Sequence, residues 1–376
     1  MPPTPVRIAV VLPLTGAEAL FGQQGLQGAR MAAAEINAEG GVLHGRPISL
    51  EVHDEGTDLD RAVTLTRAAV DSGVFAVLGP TSSAHRDAML PICAAARVPL
   101  LYATDYEGGA CSRYLFCYSA IPDHYLPSLV ETLAAVTADF AMVGADYSWP
   151  RTIGARLRRD LETRGCRLLH EEYLPPGSGD MAAVVVRATS SGAGAVVMAL
   201  MGSDGQDFIR RFADLERRPQ LAVIAFNENY MNGLAPSATE GIVTALPFLE
   251  TLQVLEAREF VARQRAMFGA NAVVSYFAES HYGLLMFLRH ALDSAGSDEA
   301  EAVIDAMGDL TLTIGNGPVT LRAVDHHMVL NMLVAQAQGG RLVATRDVGP
   351  VSPPNQCGGR SLVSDDGAAE RQPLPG

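Results

Sequence analysis

The residue types that usually carry chemistry are present, but not at working spacings. His170-Glu171-Glu172 lacks the HExxH interval that puts two imidazoles on one helix face for a metal. His326 and His327 are adjacent, so on a strand they would point to opposite faces. Both sets are expected to be surface or supporting histidines, with no metal bound. His281, beside Tyr282 in a helical pattern, is expected to be satisfied locally. Gly192-Ala-Gly194 comes before its strand, whereas a dinucleotide fingerprint follows a strand and opens a helix. No GxSxG elbow occurs, and none of the five cysteines has a nucleophile's context. All 28 basic residues are arginines, which excludes Schiff-base lysines, pyridoxal-phosphate anchoring and a P-loop lysine. No enzyme and no cofactor are expected.

A different set remains: polar and aromatic residues placed just after short apolar runs. Thr81 and Ser83 follow the run ending at Leu78, and Tyr102 and Thr104 close the run from Pro99. Tyr147 and Trp149 follow 140–144, Met201 and Gly202 follow 195–200, and Glu228 follows 222–225. Hydroxyls, aromatic edges and loop backbone groups bind a small polar molecule without burying net charge. For Ser83 and Thr104 the alternative is capping or loop hydrogen bonding. For Tyr147 and Trp149 it is packing, and for Glu228 a solvated loop carboxylate.

The elements that would position them alternate. Val6–Leu12 reads as a strand, Leu26, Ala29, Ala33 and Ile36 fall at helical spacing, and Gly40-Gly41 ends the helix. Strand then helix recurs to about position 246, which predicts an α/β fold with parallel sheets covered on both faces. Ligands on such sheets sit beyond the carboxyl ends of the strands, where the polar set lies. Beyond Leu246 two long helical patterns follow, at 255–268 and 276–294. Strands at 318–321, 328–337 and 342–344 come next, the last two joined at Gly339-Gly340. From Gly349 the composition predicts a surface-hugging or disordered tail.

A chain of 376 residues with 48% hydrophobic content is long enough for two cores. Its formal charge of -14 disfavours direct contact with nucleic acid or anionic membranes. No apolar run approaches the ~20 residues of a membrane span. The N-terminal segment shows no basic region followed by an apolar stretch and is expected to belong to a cytoplasmic protein, or to a periplasmic one that has lost its leader. Cys111 and Cys117 could pair in an oxidising compartment, but reduced thiols are expected.

Several stretches together resemble the type I periplasmic binding fold. They are Gly28-Ala-Arg-Met-Ala-Ala-Ala-Glu-Ile-Asn37 with Gly40-Gly41 and Gly45-Arg-Pro47, Ser83 before Arg86, Tyr102-Ala-Thr104-Asp-Tyr-Glu-Gly108, Gly144-Ala-Asp-Tyr-Ser-Trp-Pro-Arg151, Glu172-Tyr-Leu-Pro175 and His326-His327. Tyr-x-x-x-Tyr-Glu-Gly and Asp-Tyr-x-x-Pro-Arg are similar to the branch of urea-transporter receptors and the amide-sensing negative regulator of amidase operons. The resemblance implies two Rossmann-like lobes with parallel sheets joined by a crossover hinge, one from 6–119 plus 247–325 and a second from 120–246 plus 326–349, with hinge closure over ligand. Ser83, Tyr102 and Thr104 would hold an amide or urea from the first lobe. Tyr147, Trp149 and the Met201-Gly202 loop would close from the second.

Two departures from the amide pattern stand out. Asp105 replaces a proline, and Leu200-Met201 replace a threonine and a valine. With Glu228, Asp105 could favour an ammonium group, so an amino acid or amine also fits. The implied function is a ligand sensor that regulates amidase-type genes through an antiterminator protein. The alternative is the substrate-binding receptor of an ABC importer for urea, amides or branched-chain amino acids, partnered by its permease. Either is compatible with a homo-oligomer.

Overall fold

The computed structural model describes residues 3–16, 18–177, 180–360 and 362. Its first sheet is built from β1 (Val6–Leu12), β2 (Ile48–Asp54), β3 (Ala76–Leu78), β4 (Leu100–Tyr102) and β5 (Leu115–Cys117). All are parallel, in the order β2-β1-β3-β4-β5. Three helices connect them: α1 (Ala19–Ala38), α2 (Leu59–Asp71) and α3 (Ser83–Ala95). Strands buried on both faces account for the unbroken apolar runs, such as Ile8 to Leu12 at 0% exposure.

The chain crosses at residues 118–121 and builds a second wound sheet. In order these elements are α4 (Pro122–Ala134), β6 (Asp139–Ala145), α5 (Ser148–Thr163), β7 (Arg167–Leu174), α6 (Met181–Ser190), β8 (Ala195–Ala199), α7 (Gly202–Ala213), β9 (Gln220–Val223), α8 (Glu228–Met231), α9 (Pro236–Thr239) and β10 (Val243–Leu246). It then returns through α10 (Leu255–Phe268), α11 (Tyr276–Ala295) and α12 (Ala300–Met307), and ends in β11 (Thr311–Thr313), β12 (Pro318–Leu321), β13 (Met328–Gln338) and β14 (Arg341–Val351). The break in alternation after Leu246 is this return: α11 packs on α1 of the first sheet. The two backbones approach so closely that a Cβ on Gly28 would lie 2.0 Å from the Ala278 carbonyl oxygen.

β13 serves both halves of the molecule. Leu321 pairs with Met328 at one end, and Val243 pairs with Gln336 of the second sheet at the other. β14 runs to Val351, seven residues beyond the expected strand, antiparallel to β13.

The segment after β14 hugs the surface, one of the two forms its composition allowed, and corrects the expected reduced state of Cys111. Residues 352–360 are held in place: Arg322 bonds the carbonyls of Pro353 and Pro354, the Gln356 amide donates to Asp325 at 2.8 Å, and the Gly109 amide donates to the Gln356 side chain at 2.8 Å. Polar side chains and backbone groups of the neighbouring segments supply the anchoring that apolar content does not. Residues 361 and 363–376 of the expected tail lie outside the described residues. Cys111 is joined by a disulfide to Cys357, not to Cys117, which is a buried free thiol at the end of β5.

His326 and His327 are not surface residues. They are 3% and 0% exposed at the crossing into β13. Burial pushes both imidazoles down to about 4. His327 is held at both ring nitrogens: Nδ1 donates to the Asp325 carbonyl at 2.7 Å, and Nε2 meets the Tyr106 hydroxyl. His281 takes the core rather than the surface alternative, with Nδ1 2.7 Å from the Phe277 carbonyl and Nε2 without a partner among the described residues.

Candidate functional site

Each candidate residue sits at or just beyond the end of a parallel strand, and all but Tyr102 and Thr104 lie where a helix then begins. Thr81 lies in the turn after β3, and Ser83 is the first residue of α3, whose cap is Ser82, accepting from the His85 amide at 3.3 Å. Tyr102 is the last residue of β4, with Thr104 two positions on. Tyr147 caps α5, and Trp149 lies in its first turn. Met201 caps α7, with Gly202 its first residue, and Glu228 opens α8 behind its cap Asn227. Sequence order thus becomes spatial order at the carboxyl edge of the sheets, where the fold exposes loop backbone and side chains to a ligand.

On the first wall, Tyr102 is fully buried and its hydroxyl has no partner among the described residues. Burial holds this phenol well above its ordinary range, with the Arg86 cation pulling the other way. Arg86 lies 4.4 Å from the Tyr106 ring centroid and 5.1 Å from that of Tyr102, a cation–π stack inside the lobe. Thr104 donates weakly to the Pro80 carbonyl at 3.5 Å. The hydroxyls of Thr81 and Ser83 do not stand free as donors: Thr81 donates to Glu18 at 2.5 Å and Ser83 donates to Glu107 at 2.8 Å.

The opposite wall is aromatic. Tyr147 and Trp149 stack at 6.4 Å and 23°. The Trp149 indole N–H is buried and has no partner among the described residues. Desolvation raises the Tyr147 phenol, and so do the charges of Glu18 and Glu107 from the first wall. The two sides are also joined directly, by the Asn229 side chain donating to the Leu20 carbonyl at 3.0 Å.

Two residues stand apart from this group. Glu228 accepts from the Glu250 amide at 2.8 Å and lines a cavity of about 210 Å³ with Glu250, Arg265 and Arg341; none of the hydroxyl or aromatic candidates lines it. Burial pushes Glu228 up to about 8, and its second oxygen is unpartnered among the described residues. Asp105, expected to add a cleft carboxylate, accepts from the Ala120 amide at 3.0 Å and braces the first crossing instead. Burial pushes it up to about 7. Sequence reasoning missed Glu18 and Glu107, the partners of Thr81 and Ser83. Glu107 lay in plain view in the Tyr-Glu-Gly motif, but a loop carboxylate carries no periodic signal.

Residues 5–341 match the periplasmic binding protein family. A Leu/Ile/Val-binding protein of Rhizobium johnstonii is 22% identical over 320 residues, covering 81% of this chain and 83% of that protein. A Leu/Ile/Val-binding protein homolog of Brucella melitensis biotype 1 is 21% identical over 364 residues, 90% of this chain and 89% of its own length. An amino acid ABC transporter substrate-binding protein from Pseudomonas fluorescens Pf-5 superposes with a TM-score of 0.87 at 16% identity, covering 96% of this chain and all of that one. A solute binding protein of an ABC transporter from R. palustris, solved with benzoate, gives 0.82 at 18% identity, covering 93% and 98%. At these identities the structural likeness is one of fold. With the family match spanning nearly the whole described chain, the protein belongs to the periplasmic binding protein family, a non-enzymatic binder rather than a catalyst.

Proposed function

We propose that this chain is the substrate-binding receptor of an ABC importer, closing on a small polar solute of the amino-acid type and presenting it to a permease. The observation that carries the reading is the pair of facing walls: buried hydroxyls at the ends of β3 and β4, opposed by Tyr147 and Trp149 at the start of α5. The lobes would be 6–119 with 247–325 and 120–246 with 326–349, moving about the crossings. The disulfide between Cys111 and Cys357 supports an oxidising compartment, hence a periplasmic rather than a cytoplasmic protein. The named relatives support an amino acid or benzoate over an amide.

The test is a thermal-shift screen of amino acids, benzoates, short amides and urea. Solute at a hundred times its dissociation constant stabilises the native state by about 2.7 kcal/mol. A saturable rise that weakens in Trp149→Ala supports the reading; a flat response to every class sinks it.

A second reading, a sensor of short amides or urea acting through an antiterminator protein, is favoured by one observation. The Tyr102 hydroxyl and the Trp149 indole N–H are neutral, buried and unpartnered among the described residues, and such donors suit an amide carbonyl. A response confined to amides and urea would select this reading.

A further inference from the structure

A hydroxyl has one proton to donate and two lone pairs that accept. Thr81 has already given its proton to Glu18, and Ser83 has given its proton to Glu107. On this wall both hydroxyls can therefore offer a ligand only lone pairs, and each is backed by a carboxylate.

No cation within the described residues neutralises the pair from the cleft side. Glu18 makes no ion pair with a described residue. Glu107 has Arg86 at 3.5 Å, but that guanidinium side chain is only 3% exposed and also pairs with Asp87 at 2.8 Å. Two further groups point the same way. Glu55, 1% exposed, keeps one oxygen without a partner among the described residues and feels the charge of Glu18. The Tyr102 hydroxyl, also unpartnered, feels the charge of Glu107. Glu18 through Thr81 and Glu107 through Ser83 back the same turn into α3, at hydroxyls two residues apart, and both charges reach Tyr147 of the facing wall, whose aromatic face favours cations. A chain of net charge -14 would steer a cation toward it.

We propose that the solute is a net cation whose ammonium or guanidinium group lies outside any zwitterionic α-amino-acid head, as in a basic amino acid, received between Glu18 and Glu107 beneath Tyr147 and Trp149. The inference rests on the binding-protein reading and names the solute class of that same site.

Isothermal titration calorimetry on the full chain tests it, with arginine, lysine and agmatine as cationic probes and leucine, benzoate, acetamide and urea as controls. The expected result is binding of a cationic probe that weakens at least about tenfold in Glu18→Gln, and again in Glu107→Gln, as loss of a desolvated charge partner implies. Glu18 lies in a loop with no ion pair, so its variant decides the matter even if Glu107→Gln fails to fold. Binding of a neutral or anionic control instead, or cationic binding unchanged in Glu18→Gln, overturns the cation subsite and leaves the receptor reading standing. No heat with any probe overturns both.

Discussion

Glu279 offers a quantitative test of the packing, away from the cleft. It lies on α11 at 2% exposure, with one oxygen accepting from the Tyr118 hydroxyl at 2.8 Å and the other unpartnered among the described residues. Burial pushes its carboxyl up to about 8, from an ordinary 4.5, against the smaller pull of the Tyr118 bond. Between those values the folded protein holds a proton that the unfolded chain has lost. The contribution to stability is therefore complete below 4.5 and is lost as pH rises through 8, at about 1.4 kcal/mol per pH unit. Integrated from pH 5 to pH 8, one such group weakens the fold by about 3 kcal/mol. Glu55 and Glu228, pushed to about 8, and Asp105, pushed to about 7, tilt stability in the same direction. The buried histidines, His326 and His327 at about 4 among them, act the opposite way below their ordinary 6.5, so the wild-type slope is a mixed sum and only the difference between wild type and Glu279→Gln isolates one group. Urea unfolding curves of both proteins at pH 5, 6, 7 and 8 measure it. The variant should gain on the wild type by about 3 kcal/mol across that range. Parallel pH profiles would refute the assignment of a protonated, buried Glu279.

Other consequences are simpler to read. Trp149 is the single tryptophan, so a saturating solute should shift its fluorescence emission, and a silent titration with a solute shown to bind would remove Trp149 from the cleft. Gly205→Ala would place a Cβ 1.6 Å from the Tyr230 hydroxyl and 2.6 Å from the Leu200 carbonyl. Overpacking there should destabilise by about 1–3 kcal/mol in urea unfolding. Reducing the Cys111–Cys357 bond, or Cys357→Ser, opens a loop spanning a sequence separation of 246. Loop-closure entropy puts its loss at up to about 5 kcal/mol, which over a chain of this length lowers the melting midpoint by about 6 °C; an unchanged midpoint in dithiothreitol would mean that the bond constrains nothing.

The wound architecture was legible because local and global signals agree. Val6–Leu12 and 140–144 are apolar on both faces since helices cover both sides of their sheets, and the polar groups after them had to fall on the ligand edge. Position alone singled out Thr81, Ser83, Tyr102, Thr104, Tyr147 and Trp149, and the structure sets them at or just beyond the strand ends. What those groups do was not legible. The direction of a hydroxyl proton depends on Glu18 and Glu107, which reach Thr81 and Ser83 from separate loops, 63 and 24 residues away in sequence. Asp105 and Glu228 looked like cleft carboxylates because both follow strands. The amides that claim them, Ala120 and Glu250, belong to crossings that no periodicity announces. The pairing of Cys111 was hidden for the same reason, since its partner lies in a segment whose composition reads as unanchored.

β13 carries a mechanical consequence. Its first residues are laddered to β12 and its last to β10 and β14, so the strand acts as a torsion bar between the two halves of the molecule. A body rotating about it has to wind the strand, not slide along it. Compliance is concentrated where the ladder with β14 slips register, between Met332 and Leu333 and between Val334 and Ala335, since an extra residue there already increases local twist. If the lobes rotate as proposed, the stiffness of that short stretch would set the elastic return that reopens the cleft.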